Sequence, residues 1–443
     1  MVIVVIEDTD FKNNHFRSWD NVFSSEPSTQ GLIEVLESLK GKEEKIVVTW
    51  ASTSFLDYNL IDMLTSKSKY YDIMFIPNLP DYMEFEVWDV SFLLEKLKTF
   101  SYLKKPLRNS MGSLELDESL FFVDVYQPDM RLYRFDLVPN TYKSRKVVEY
   151  LYSCIDFSKE LAPQILEVLK SNPEVLMEIP TFYMFEVSNK RVEDTQLSRS
   201  WSVSFDSASF EVFSKVFEKV KELSKEFVFV LGVYNEPLFV DWIGKIFDFV
   251  TSHELGKITF VLSTSLPYVD DFLLDAYGRA KGMLGYRGYD RFYVVVNLPK
   301  VGSDRFSEVI ANVDRLRKID PTRVYIKFVR DRESVKHLPD FYSAMKEYNV
   351  IISRTFDREL MDADTVFPIR VPCYKLQTSL IILPNGDVPL CLNDLVLDDK
   401  LGNVFNEDIS KIALRKADYY KTHFFGDYDG ICRDCVIWDQ YDL

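Results

Sequence analysis

Apolar residues along this chain alternate between short unbroken runs and stretches with helical spacing. The runs FVFVLG (227–232), ITFVL (258–262) and FYVVV (292–296) suit strands of a parallel sheet buried on both faces, since neither face offers polar groups to water. With Phe182–Val187, Val324–Phe328 and Val350–Ser353 they predict six strands. Helical patterns lie between them. In Phe210–Leu223, residues Phe213, Val216, Phe217, Val220 and Leu223 follow the i, i+3, i+4, i+7 spacing of one buried helix face; Asp241–Val250 and Phe306–Leu316 behave alike. Strand–helix units in this order predict a partial (β/α)6 barrel over residues 176–370, short of the eight units that close one.

The first 153 residues show a looser version of the same alternation. Val2–Ile6, Lys45–Thr49 and Tyr71–Pro77 read as strands, and Thr29–Leu39 and Leu60–Ser66 as helices. This predicts an α/β domain with a mostly parallel sheet. The helical stretch Cys154–Asn172 reads as the connection to the barrel, and residues 371–443 as a small, loop-rich third domain.

A length of 443 residues favours two or three domains over one. The formal net charge of −16 argues against nucleic acid and anionic membranes as partners, because both demand cationic surface. No apolar run approaches the length of a membrane span, and Met1–Ile6 lacks the basic flank of a signal peptide, so a cytoplasmic protein is expected.

The candidate chemistry lies near the C-terminus. Of five cysteines, Cys154 stands alone in an apolar helical setting and is expected to be a buried structural thiol. The other four are spaced Cys373-x17-Cys391-x40-Cys432-x2-Cys435. The CxxC turn lets two thiolates converge, and a hairpin over Thr378–Leu390, turning at Pro384-Asn385-Gly386-Asp387, would bring Cys373 and Cys391 together. Four thiolates suit a [4Fe–4S] cluster and a structural Zn(II) equally. The histidines His15, His253, His337 and His423 are scattered; His423, nine residues before Cys432, reads as a solvated loop residue.

The order Cys373-x12-Gly386-x-Val388-x2-Cys391-x2-Asp394, then Leu401-Gly402-Asn403-Val404, then CxxC, resembles the SPASM domain, the auxiliary-cluster domain of many radical SAM enzymes that modify peptides and proteins. The resemblance implies one [4Fe–4S] cluster on Cys373, Cys391, Cys432 and Cys435, with Gly402 and Asn403 as turn residues. The barrel is similar to a radical SAM core that has lost its CxxxCxxC cysteines: Arg191, Thr195 and Ser198 stand at that spacing after the first strand. A guanidinium has no lone pair to donate, and hydroxyls are poor soft ligands. After the second strand, Gly232 and Glu236-Pro237 resemble the family's GGEP motif, implying a vestigial S-adenosylmethionine site without radical chemistry.

The whole chain resembles the spirochaete radical SAM/SPASM proteins, whose N-terminal domain is similar to sugar nucleotidyltransferases; residues 124–137 carry that likeness. The loop after the first strand, Glu7 to Asn14, has no glycine to cradle phosphate, and Asp8 and Asp10 read as solvated rather than as Mg(II) ligands. The resemblance implies an iron–sulfur protein with a peptide or protein partner. Two other readings remain open at this point: a zinc-stabilised binding module without redox role, and an enzyme that still binds S-adenosylmethionine or a nucleotide.

Overall fold

A computed structural model describes residues 2–11, 14–67, 70–112, 120–133, 135–177, 179–193, 200–252, 257–286, 291–355, 370–436 and 438. The chain divides into two compact units, Met1–Leu176 and Met177–Leu443.

The first unit is built on a six-stranded sheet: β1 Val2–Ile6, β2 Val22–Ser25, β3 Lys45–Trp50, β4 Ile73–Phe75, β5 Phe85–Asp89 and β6 Phe121–Val123. The order is β2-β1-β3-β5-β4-β6. β5 runs antiparallel to both neighbours, so the other five strands share one direction, as a mostly parallel sheet requires. Val2, Val4, Ile6, Ile46 and Val48 bury one face against Leu32, Leu36 and Leu39 of the helix Thr29–Leu39, whose N-terminus Ser28 caps through the Gly31 N–H.

Sequence patterning missed β5 because it carries a carboxylate in its middle. Glu86 is 2% exposed. Arg108 Nη1 meets it at 2.7 Å, and Trp88 Nε1 donates to it at 3.1 Å. Burial holds the Glu86 carboxyl above its usual range against the pull of Arg108.

The stretch expected to connect the domains packs within this first unit. The Leu161 N–H, opening the helix Leu161–Ser171, donates to the buried Asp57 carboxylate at 2.9 Å. Cys154 departs from its expected buried place. It is the last residue of the helix Tyr142–Cys154 and is exposed, while Leu151 and Ile155 take the buried positions around it.

All six expected barrel strands form: β7 Phe182–Phe185, β8 Val228–Leu231, β9 Thr259–Thr264, β10 Phe292–Asn297, β11 Val324–Arg330 and β12 Asn349–Arg354. A seventh, β13 Ser379–Ile382, comes from the cysteine segment and pairs parallel with β7, so residues 371–443 are built into this unit through the sheet. The order is β12-β11-β10-β9-β8-β7-β13, parallel throughout, and its two end strands leave it open.

One face carries Phe229 and Phe260 against Phe213 and Phe217 of the helix Phe210–Leu223. Each such fully buried ring contributes about 2–3 kcal/mol. The other face carries Met184, Val230, Val261, Val295 and Ile381, which cluster with Trp201, Tyr234, Leu392 and Val436. No described helix is long and apolar enough to cross a membrane.

Candidate metal centre

The chain reverses at Asn385-Gly386 as expected. Gly386 adopts φ +86°, a conformation open to glycine, and a Cβ there would meet the Phe405 ring at 2.4 Å. The expected hairpin ladder does not follow. Parallel pairing with β7 commits β13 to the barrel, and β14 (Asp387–Val388) pairs antiparallel with β15 (Gly402–Asn403). Gly402 and Asn403 are thus strand residues rather than turn residues. The Asn403 amide fastens the reversal by donating to the Asn385 carbonyl and the Asp387 carboxylate, each at 2.9 Å.

This framework carries the four cysteines into one neighbourhood. Cys373 precedes the short helix Lys375–Thr378, Cys391 follows β14, and Cys432 closes the 3-10 turn Gly430–Cys432. The Cys435 N–H donates back to the Cys432 carbonyl at 3.3 Å, the tight turn that CxxC implies. None of the four is joined in a disulfide, and all are partly buried. Burial pushes the Cys391 thiol up, and Cys435, Cys432 and Cys373 add to the push. Cys432 is pushed up to about 12 by burial first, then by Cys435 and Cys373. Cys391 and Cys432 both feel neighbouring thiols because they share one partly desolvated space.

The surroundings order that space. The Asn393 N–H donates to Cys391 Sγ, and Asn393 Nδ2 donates to Cys435 Sγ, both at 3.3 Å. Fully buried Asp394 accepts the Leu390 N–H at 3.1 Å, which ties the loop around Cys391 to the end of β14. Arg370 stacks on Tyr428, 3.9 Å from the ring centre, and donates to the Cys432 and Arg433 carbonyls. His423 departs from its expected solvated loop. It lies in the helix Lys416–Phe424, 3% exposed, and its Nδ1 accepts the Cys373 N–H at 3.3 Å. Its position on the helix's buried face was legible in the neighbouring Tyr420 and Phe424.

Four cysteines outside any disulfide, with N–H donors on two of the sulfurs, are a donor set that fits an iron–sulfur cluster, whose ligand sulfurs characteristically accept such bonds. Among the described residues no three His, Cys, Asp or Glu side chains meet as ligands of a single metal ion would.

Elsewhere in this unit, Gly232 and Glu236 lie at the carboxyl end of β8. Gly232 has φ +84°, and a Cβ on it would stand 2.5 Å from the Ser263 carbonyl, so glycine is required by the approach of β9. Glu236 is 2% exposed; its carboxylate accepts from Thr264 Oγ1 at 2.6 Å, the Ser265 N–H at 2.7 Å and the Leu238 N–H at 3.0 Å. These contacts join the loops after β8 and β9. Arg191 is exposed, and Thr195 and Ser198 lie outside the described residues. In the first unit, Asp8 is held by Ser52, through its N–H at 2.8 Å and its hydroxyl at 2.5 Å, and Asp10 pairs with Arg145. Both carboxylates are exposed, as expected, and each also has a partner.

Burial raises the Glu236 carboxyl to about 7. The folded chain therefore binds a proton there that the unfolded chain releases near pH 4.5, and stability falls as pH rises through 7. A shift of this size is worth about 3 kcal/mol between pH 4 and pH 8. Urea titrations at several pH values are expected to show that slope, and Glu236→Gln to reduce it, with Glu186 and Glu84, which burial also raises to about 7, supplying the rest. Equal slopes in both proteins would assign the pH dependence elsewhere.

Residues 373–436 match the family model for SPASM, described as an iron–sulfur cluster-binding domain. The likeness to radical SAM/SPASM proteins read from the ordered motifs around Gly386, Cys391, Asp394, Leu401–Val404 and the CxxC pair therefore stands, and the class of the C-terminal segment is that of an iron–sulfur cluster-binding domain. Over 372 residues the chain is 22% identical to an uncharacterized protein of Treponema pallidum (strain Nichols), covering 77% of this chain and 99% of that relative. Among solved structures, BtrN in complex with AdoMet and 2-DOIA is 13% identical, with TM-score 0.42, covering 60% of this chain and 99% of that one. A cytidylyltransferase from Leptospira borgpetersenii serovar Hardjo-bovis (strain JB197) is 14% identical, with TM-score 0.31, covering 40% of this chain and 95% of that one.

Proposed function

We propose that this protein holds one [4Fe–4S] cluster on Cys373, Cys391, Cys432 and Cys435, and that its barrel works without radical SAM catalysis, as a scaffold for a peptide or protein partner. The observation that carries the first part is the shared neighbourhood of the four cysteines inside the segment that matches an iron–sulfur domain. A cluster there would supply one-electron chemistry or a fixed cross-link between loops. The chain's own residues position it: Asn393 donates to two sulfurs, and Arg370 braces the CxxC carbonyls.

The second part is supported by two observations. The loop after β7 offers Arg191 where a thiolate would be needed, and the same loop region sends Trp201 into the apolar cluster on the sheet's inner face. Gly232 and Glu236, the residues that resemble a cofactor motif, are both engaged in joining β8 to β9.

Metal and sulfide analysis of protein purified and reconstituted without oxygen tests this reading. The expected result is about four irons and four sulfides per chain, as a single cubane contains. About one zinc without sulfide would replace the reading with a structural tetrathiolate site.

A further inference from the structure

Glu186 follows β7 directly and is fully buried. Its carboxylate is met by successive backbone N–H groups of the loop after β8. Tyr234 N donates at 2.8 Å and Asn235 N at 3.1 Å to one oxygen, and Val233 N approaches the other at 3.5 Å. A fourth donor, Trp201 Nε1, reaches the first oxygen at 3.0 Å. The backbone arrangement begins at Gly232, whose left-handed φ of +84° turns the following amides to one side. Consecutive amides turned inward in this way form a concavity that binds anions.

The loop itself is fixed from outside this concavity. Asn235 Nδ2 donates to the Ser188 carbonyl at 2.7 Å, and the Glu236 N–H to the Lys190 carbonyl at 2.8 Å. Trp201 and Tyr234 close over the carboxylate as an edge-to-face pair with centroids 5.3 Å apart. The Tyr234 hydroxyl donates to the Leu392 carbonyl at 2.8 Å, beside Cys391.

The position matters as much as the chemistry. Parallel α/β sheets bind their ligands at the carboxyl ends of the strands, and this concavity lies at the carboxyl ends of β7 and β8. We propose that residues 232–235 form a carboxylate receptor at the end of β8 that the chain fills with its own Glu186, and that it accepts a free carboxylate of acetate size once that side chain is cut back. The barrel is then closed at this point to any carboxylate-bearing small molecule, because the chain's own group is tethered there at an effective concentration no free ligand matches. This inference does not depend on which metal the cysteines hold.

The size argument selects the probe. Glu186→Ala removes CH2–COO⁻, the frame of acetate, and leaves the amides and the Trp201 N–H facing the space. Full-length wild type, Glu186→Ala and Glu186→Leu are melted in 0–100 mM sodium acetate, with sodium chloride holding ionic strength constant. The alanine variant is expected to melt lower than wild type without acetate and to regain about 2–4 °C as acetate rises, since a ligand that binds only the folded state raises its Tm. Wild type is expected to show no acetate response, because the receptor is filled. The leucine variant is expected to show none either, because its side chain fills the volume without accepting the donors.

If Glu186→Ala purifies unfolded, the fraction that refolds at each acetate concentration becomes the readout, and a rise with acetate carries the same meaning. No acetate response in the alanine variant, or the same response in all three proteins, overturns the proposal. Metal content measured on the same samples reports separately on the cysteine centre, so a failure of either reading can be told from a failure of the other.

Discussion

Cys391→Ser is expected to leave the protein without its cluster, with iron falling from about four per chain to near zero. A serine hydroxyl is a hard, weakly donating ligand beside three soft thiolates, and a cubane corner left without thiolate is exposed to solvent and loss. Cys391 is the ligand to choose because its sulfur accepts the Asn393 N–H, and its loop is tied by Asp394 to β14. Binding energy at such a site is folding energy for whatever the metal ties together. In the proposed arrangement it would tie residues 391–436, which hold the long gap between Cys391 and Cys432.

The loss should nonetheless be local. β13 is held by its ladder with β7, and Leu380, Ile381 and Ile382 are buried in the sheet. Hydrogen exchange is therefore expected to accelerate across residues 391–436 while β13 and the rest of the sheet keep their protection. Full iron retention by Cys391→Ser would remove this residue from the ligand set. Loss of protection through the whole sheet would mean that the cluster, and not strand pairing, holds the segment to the barrel.

The second large effect is expected in the first unit, at Arg108. Its guanidinium meets Glu86 at 2.7 Å and Glu84 at 3.4 Å, and its ring-stacked plane lies 4.2 Å from the centre of Phe75. Burial raises the Glu84 carboxyl to about 7, and neighbouring Glu86 adds to the rise while Arg108 opposes it. Arg108→Ala takes away the cation that opposes burial at Glu86 and Glu84 and leaves two buried carboxyls without a counter-charge; breaking a buried pair in this way typically costs about 3–5 kcal/mol.

The variant is expected to unfold the first unit at lower urea, and the deficit to shrink at acidic pH as the carboxyls take up protons. Replacing both partners, with Glu86→Leu and Arg108→Leu, should recover most of the loss, since the apolar pair needs no counter-charge. An Arg108→Ala protein within about 1 kcal/mol of wild type would mean that the two carboxyls are already protonated and that the ion pair carries little.

The same residue shows why parts of the first unit escaped sequence reading. A strand with Glu84 before it and Glu86 inside it does not read as buried, and only Arg108, more than twenty positions away, makes it so. β2 and β6 are short and lie outside the pattern that the expected strands follow; their identity comes from pairing with β1 and β4. Cys154 and His423 illustrate the same limit for single residues. Each sits in a helix that the sequence reading did not place, and which of its side chains is covered depends on what packs there.

The six barrel strands were legible because unbroken apolar runs admit few structures other than strands buried on both faces. The iron–sulfur character of the C-terminal segment was legible because clustered cysteines among turn-forming residues carry a recognisable order. Turn chemistry was legible at Gly386, where the backbone conformation itself demands glycine. These are properties of local chain chemistry, and the sequence by itself determined them.

Only the tertiary structure decided the partners. Apolar character says that β13 is a strand but not that it joins β7 in parallel, because register and partner depend on backbone hydrogen bonds between residues some two hundred positions apart. The carboxylate of Glu186 is a charged side chain at a strand end in the sequence; its meaning arises when the amides of 233–235 and the indole of Trp201 are folded around it. Long-range contacts of this kind leave no periodicity behind, since a donor and its acceptor need share only a place in space.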